Sequence, residues 1–366
     1  MNENEKVFPP SKYIKDALTE RGWTQADFAA ILGRNPAEIS AYLAKDRISI
    51  EFSKELSVVF GNTPEFWLGL ENKFRLYNAP EVDEAILKRS ELFKTFPLKD
   101  MQKRGWISGA EKMEHLEPEL TKFFEIDNSE TDFESKVSFK RTIKEADLNA
   151  AEKAWLYRAK HLAKVLPVAE YDESNLNKLI EQLRKFAAKS KAVVRVPELL
   201  ANFGIRFVVV EPLPRAKIDG AAFWLDENSP VIAMSLRFDN IGSFYFALMH
   251  EISHIKHKDK FSVDDLESLP TDIKEVRAND EAADSLVPKK RLENFIKMYS
   301  PFYSEARINN LATQLKVHPG IIVGQLHHQK EVGYNAHQKM MAKVRELVTT
   351  TAFTDGWGHP VPQVRF

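Results

Sequence analysis

The chain has 366 residues, 43% of them hydrophobic and 29% charged, a balance that supplies core for two or three domains and excludes wholesale disorder. Its 52 Lys and Arg against 53 Asp and Glu leave a net charge of −1, so no global basic field draws it to nucleic acid and any such contact must be local. With no cysteine there is no disulfide, no thiolate zinc site and no cysteine nucleophile, and a metal site would need His and carboxylate ligands. The polar start Met1–Glu5 and the shortness of every apolar run predict a cytoplasmic protein with no membrane span.

In chain order, apolar residues from about Ser11 to Leu76 recur at intervals of three and four, broken by Gly22, Gly33 and Gly61, which predicts short helices joined by tight turns. From Ala79 to Lys191 the chain is charged, glycine-poor and punctuated by Pro97, Pro118 and Pro167, and predicts helices with one acidic connecting stretch, Glu125–Glu134. Ile205–Val210, Gly220–Leu225 and Pro230–Ser235 are β-branched, aromatic or apolar and predict three short strands. Helical spacing returns at Phe244–His257 and continues at about Thr271–Leu286, Pro288–Tyr299, Glu305–Leu315 and Pro319–Gln329. The stretch Thr349–Phe366 reads as an irregular tail, and no internal repeat stands out.

Within the first region, Thr24-Gln25-Ala26-Asp27-Phe28-Ala29-Ala30-Ile31-Leu32-Gly33-Arg34-Asn35-Pro36-Ala37-Glu38-Ile39-Ser40 has the spacing of a helix-turn-helix. Ala29 is small enough for a close helix crossing, Gly33 permits the turn and Ile39 anchors the next helix. Thr24 is the expected N-cap, and the helix start behind it can point Gln25 and backbone N–H groups at a phosphate. From Phe8-Pro9-Pro10 through Arg21–Gln25 to Asn62–Leu68 this segment is similar to the HigA-type antitoxin and XRE-type repressor family. The resemblance implies a recognition helix at about Pro36–Ala44, with Ala37, Ser40 and Ala41 toward the groove and Arg34, Asn35 and Lys45 near the DNA backbone. One departure stands out: the helix has no Arg, Asn or Gln placed for a bidentate base contact. A bundle that only dimerises or holds a toxin is the competing reading, and ten Lys and Arg against eleven Asp and Glu in residues 1–80 do not decide between them.

His250-Glu251-Ile252-Ser253-His254 is an H-E-x-x-H sequence behind the apolar Phe244–Met249. Residues four apart share a helix face, so both imidazoles can bind one Zn2+ while Glu251 lies beside its water and serves as general base. Composition alone would produce the five residues about once in forty such chains, so context carries the assignment: two histidines and a glutamate on a buried helix are costly as filler. A third ligand is required. Glu275 fits, with Asn279 one turn on able to orient a histidine, and Glu281 and Asp284 are rivals on the same helix. His257 is expected to be a solvated helix-end residue.

This half resembles the ImmA/IrrE family of zinc metallopeptidases, through Ile218–Ala222, Pro230–Ile232, Phe246–His254 and Glu275–Pro288, with a weaker echo at Val317–Gly324. The resemblance implies a zincin fold with His250, His254 and Glu275 as ligands, Glu251 as base, and limited proteolysis of a repressor or antitoxin. Glu281 stands where the family usually has an aromatic residue, which keeps it as rival third ligand. Among His318, His327, His328, His337 and His359, mostly expected to be exposed, His318 has the best claim to a role at the site. Arg206, Arg237 and Lys289–Arg291 read as solvated surface.

The fold class expected is mainly α with an α+β C-terminal part, in four segments: a helix-turn-helix bundle at 1–78, a helical connecting region at 79–191, a zincin-like metallopeptidase domain with a small sheet at 192–334, and a C-terminal helix and tail at 335–366. The function expected is a transcriptional regulator that binds the operator of its own operon as a homodimer, and a Zn2+-dependent endopeptidase acting on a repressor or antitoxin. Two alternatives remain open: an antitoxin-type repressor that binds DNA and a toxin with a non-catalytic peptidase-like domain, and a regulatory enzyme whose N-terminus only dimerises.

Overall fold

The structure is a computed structural model that describes residues 7–45, 47–108, 113–125, 148–259, 261–264 and 272–356. Two compact units divide the chain, Met1–Ile86 and Leu87–Phe366.

The first unit is all helical: α1 (Pro10–Glu20), α2 (Gln25–Leu32), α3 (Pro36–Lys45), α4 (Ile50–Phe60) and α5 (Pro64–Tyr77). Local signals set these boundaries. Thr24 and Asp27 form a reciprocal capping box that closes the free N–H groups at the start of α2, and Gly33 ends it at φ 64°, a left-handed position that costs glycine little. Asn35 accepts from the Ala37 N–H to start α3. Ser49 and Thr63 cap α4 and α5 in the same way. One core holds the unit together, with Phe28, Ala29, Ile39, Leu43, Phe52, Leu56 and Trp67 all buried.

A mixed five-stranded sheet organises the second unit: β1 (Arg206–Val210), β2 (Gly220–Trp224), β3 (Pro230–Met234), β4 (Phe261–Asp264) and β5 (Phe353–Asp355), in the order β4-β2-β3-β1-β5. β1 pairs in parallel with β3 (Val208 opposite Ala233) and with β5 (Val209 opposite Thr354). β2 is antiparallel to β3 and β4. Thr349–Phe366 is therefore not simply an irregular tail: Phe353–Asp355 completes one edge of the sheet, and two strands, β4 and β5, join the three predicted ones.

Both faces of the sheet are apolar, as a sheet covered on each side requires. Val208, Val210, Ala221, Phe223, Val231 and Ala233 face one way, into a core with α6 (Glu84–Thr95), α7 (Leu98–Lys103), α8 (Met113–Phe123) and α9 (Ala150–Val165). The helices of 79–191 thus do more than connect, since α6 to α9 build one layer of this unit and Leu176–Phe186 joins the other. Trp155 on α9 fixes the layer by donating its indole N–H to the Val210 carbonyl at 2.8 Å. Phe207, Val209, Ala222, Ile232 and Met234 face the other way, against α10 (Leu176–Phe186), α11 (Val196–Asn202), α12 (Ile241–Lys256), α13 (Ile273–Leu286), α14 (Lys289–Tyr299), α15 (Glu305–Leu315), α16 (Pro319–His328) and α17 (Arg345–Thr349). Asp355, the last residue of β5 and opposite Val210, accepts from Trp106 Nε1 at 2.8 Å and from Arg158, which ties the edge strand to α9.

A local likeness joins two helix pairs, one in each unit. Phe28–Leu43 and Leu311–Leu326 share Ala29/Ala312, Leu32/Leu315, Pro36/Pro319, Ile39/Ile322 and Leu43/Leu326 at one constant offset. Lys316 takes the left-handed place of Gly33, at φ 58°. His318 Nδ1 accepts from the Gly320 N–H just as Asn35 accepts from Ala37. The outward positions differ in fate. Ala37, Ser40 and Ala41 are exposed on α3, whereas their counterparts Gly320, Val323 and Gly324 on α16 lie against α12, with Gly320 at Gly242. In the second pair these positions serve packing.

Of the acidic stretch, Glu125 is described and 126–134 lie outside the described residues. Burial pushes the Glu125 carboxyl up, but hydrogen bonds and charge from Lys160 and Lys164 outweigh it and bring it down to about 2. A depressed carboxylate contributes stability above its unfolded value near 4.5 and loses it as pH falls through about 2. Glu125→Gln is accordingly expected to destabilise the second unit by about 1 kcal/mol at pH 7, allowing for solvent screening. In urea unfolding, that deficit should shrink as the buffer approaches pH 2.

Candidate metal centre and nucleic-acid face

The first unit presents the residues of the helix-turn-helix. Gln25, Ala37, Ser40, Ala41 and Lys45 are exposed. Thr24 is exposed too, but its hydroxyl and N–H are engaged by Asp27 at 2.7 and 2.8 Å. Asn35 is taken up in capping α3. Arg34 is not a free cation waiting for a phosphate: its guanidinium pairs with Glu55 at 2.7 Å and lies over the Tyr42 ring. The exposed face of α3 therefore carries the small Ala37, Ser40, Ala41 and Ala44 with the acidic Glu38 beside them, and Lys45 is the cation at its end.

In the second unit, α12 starts at Asn240, whose side chain accepts from the Ser243 N–H. Thirteen of its residues are buried, because β2 and β3 cover one side and α13 and α16 the other. The helical period puts His250 and His254 on the side facing α13. Ala278 and Ala282 on α13 are fully buried and small, which lets the two helices approach and brings Glu275 and Asn279 to the histidines.

Three donor atoms converge. His250 Nε2 and His254 Nε2 are 2.9 Å apart, and Glu275 Oε2 lies 3.1 Å from the first and 3.4 Å from the second. The far ring nitrogens are fixed by acceptors: His250 Nδ1 by Asn279 Oδ1 at 3.0 Å and His254 Nδ1 by Asp259 Oδ2 at 2.9 Å. With a proton on each Nδ1, both Nε2 lone pairs and a carboxylate oxygen face one another. A proton among them satisfies one contact at a time, whereas one cation satisfies all three. Four-coordinate zinc with bonds of about 2.0–2.1 Å sets its ligands roughly 3.3 Å apart, so the donor set fits that ion with shifts of a few tenths of an ångström. The three residues form a group that can hold a metal ion.

Glu251, one residue round the helix, is fully buried and faces β2. A Cβ on Gly220 would collide with its Oε1, so only glycine leaves space for that carboxylate. Gly220→Ala is expected to displace Glu251 without touching the three donors. The metal-binding capacity of the three donors should be unchanged in that variant, as measured by zinc titration.

Glu281 is not in the group. It accepts from Ser253, Lys256 and His257, and despite its burial these contacts hold its carboxyl below the ordinary range. Asp284 accepts from the Lys289 N–H at the start of α14. Nor are the remaining histidines simply exposed. His318 caps α16, and burial lowers its pKa; His327 is buried against the Ala336 carbonyl; His328 is exposed beside Phe246; His359 lies outside the described residues. Arg237, expected on a solvated surface, instead makes a two-pronged pair with buried Asp219, at 3.1 and 2.8 Å, next to Gly220.

Sequence reasoning missed Asp259. After α12 the chain turns through Lys258 at φ 51°, with Lys258 N–H donating to the Ile255 carbonyl and Asp259 N–H to that of His254. This is a Schellman turn. It folds Asp259 back against the histidine five positions earlier, a spacing that could have been read from the polar break after the helix. Burial raises the Asp259 carboxyl, but hydrogen bonds from His254 and Lys274 and the charges of Arg277 and Lys274 hold it below its ordinary value.

The helix-turn-helix family (HTH_3) matches residues 14–68. The chain belongs to the helix-turn-helix transcriptional regulators, through this N-terminal domain. It is 33% identical over 82 residues, 22% of its own length and 87% of the relative's, to the uncharacterized HTH-type transcriptional regulator YddM of Escherichia coli (strain K12). No solved structure matches it.

Proposed function

We propose that this DNA-binding transcriptional regulator carries a zinc-dependent endopeptidase in its second unit, of zincin type, that cleaves a repressor or antitoxin protein in the cytoplasm. The supporting observation is the convergence of His250, His254 and Glu275 with both outer ring nitrogens held by acceptors. Zn2+ bound there would act as a Lewis acid toward a peptide carbonyl and make water acidic near neutral pH. The chain's own residues do the rest. Asn279 and Asp259 keep the imidazoles in one tautomer, Glu251 accepts the proton at its carboxylate, and the packing of α12 against β2 and α13 keeps bulk water from that carboxylate. On the first unit, α3 would lie in the major groove of the operator of its own operon, in a homodimer, with Gln25 and Lys45 on phosphates.

Elemental analysis of the purified chain, followed by incubation with the proteins encoded beside it, tests the reading. One Zn2+ per chain, lost in His250→Ala and His254→Ala together with cleavage of a neighbouring gene product, is expected. A folded chain that takes no metal would overturn the peptidase.

A further inference from the structure

Asp259 touches His254 and the two cations that flank Glu275, while Asn279 orients His250. Asp259 is 4% exposed. Its Oδ2 accepts from His254 Nδ1 at 2.9 Å and from Arg277 Nη2, and its Oδ1 pairs with Lys274 Nζ at 2.9 Å. Its own backbone is fixed from two sides: the N–H donates to the His254 carbonyl, and the carbonyl accepts from Trp224 Nε1 at 3.2 Å.

The placement of the two cations is the informative part. Lys274 and Arg277 flank Glu275 along the first turns of α13. A single buried carboxylate thus grips a histidine of α12 and the helix start that delivers the third donor. Either cation alone would be a surface pair of little worth. Held on a carboxylate that also receives an imidazole N–H, they become a latch between the two helices.

We propose that Asp259 is the positioning residue of the centre, fixing the His254 tautomer and drawing the Lys274–Arg277 turn of α13 inward so that Glu275 meets the histidines. This rests on the metal reading of the three donors. Partners behind first ligands are typically worth about 10- to 100-fold in metal affinity, which sets the effect expected.

Two variants and two measurements decide it. Asp259→Ala is expected to weaken Zn2+ binding about 10- to 100-fold in competition with a chromophoric chelator. It should also scramble the single Nδ1–H tautomer of His254 seen by imidazole nitrogen NMR. Asp259→Asn keeps an acceptor for His254 but loses the charge facing Lys274 and Arg277, so it should keep the tautomer and lose roughly tenfold in affinity. That variant settles the question if the alanine chain does not fold. Unchanged affinity and tautomer in the variants overturn the proposal. A wild-type chain that takes no Zn2+ yet shows the Asp259-dependent tautomer overturns the metal reading and supports the positioning role; if neither appears, both fall.

Discussion

Glu251→Gln is expected to leave one Zn2+ bound per chain and to reduce peptide cleavage by about a thousandfold, within the range that general acid–base groups supply. The amide has the shape of the carboxylate, so it fits the same space beside Gly220. It cannot take up a proton at neutral pH. Metal retention follows from the geometry, because the three convergent atoms belong to His250, His254 and Glu275. Measuring metal content and turnover on one preparation separates the two effects. Cleavage within tenfold of wild type would remove Glu251 as the base, and loss of the metal would mean that the donor group has been misassigned.

The second large effect is expected in the other unit. Ile39 is fully buried where α3 meets the core that Phe28, Leu43 and Phe52 share. Truncating such a side chain to alanine costs about 2–5 kcal/mol, a large part of the stability of a domain this small. Ile39→Ala should therefore melt the first unit and abolish binding to duplex DNA in a mobility-shift assay, while zinc binding by the second unit persists. An Ile39→Ala chain that binds DNA normally would show that α3 is not the reading element.

How much of this was legible depended on whether the governing contact was local. The i, i+4 spacing of His250 and His254 placed both on one helix face, and Glu275 and Asn279 followed from the next helix by the same period. The turn of the first helix-turn-helix was legible through Gly33. The similar turn at Lys316 was not, because a lysine occupies the left-handed position there and His318 performs the capping that Asn35 performs in the first unit. Arg34 read as a DNA-backbone contact and Arg237 as solvated surface because their partners, Glu55 and Asp219, are 21 and 18 positions away. β5 is a three-residue strand whose partner β1 lies well over a hundred positions earlier, so no local pattern announces it.

That last pairing has a consequence for the order in which the molecule is made. A ribosome must deliver the chain through Asp355 before Phe353–Asp355 can dock beside Val208–Val210, and until then the nascent sheet has a bare, sticky border next to an unsatisfied Trp106 and Arg158. A stop codon shortly before Phe353 would freeze that vulnerable stage, and the prematurely terminated product should accumulate as insoluble aggregate with His250, His254 and Glu275 all still encoded in it.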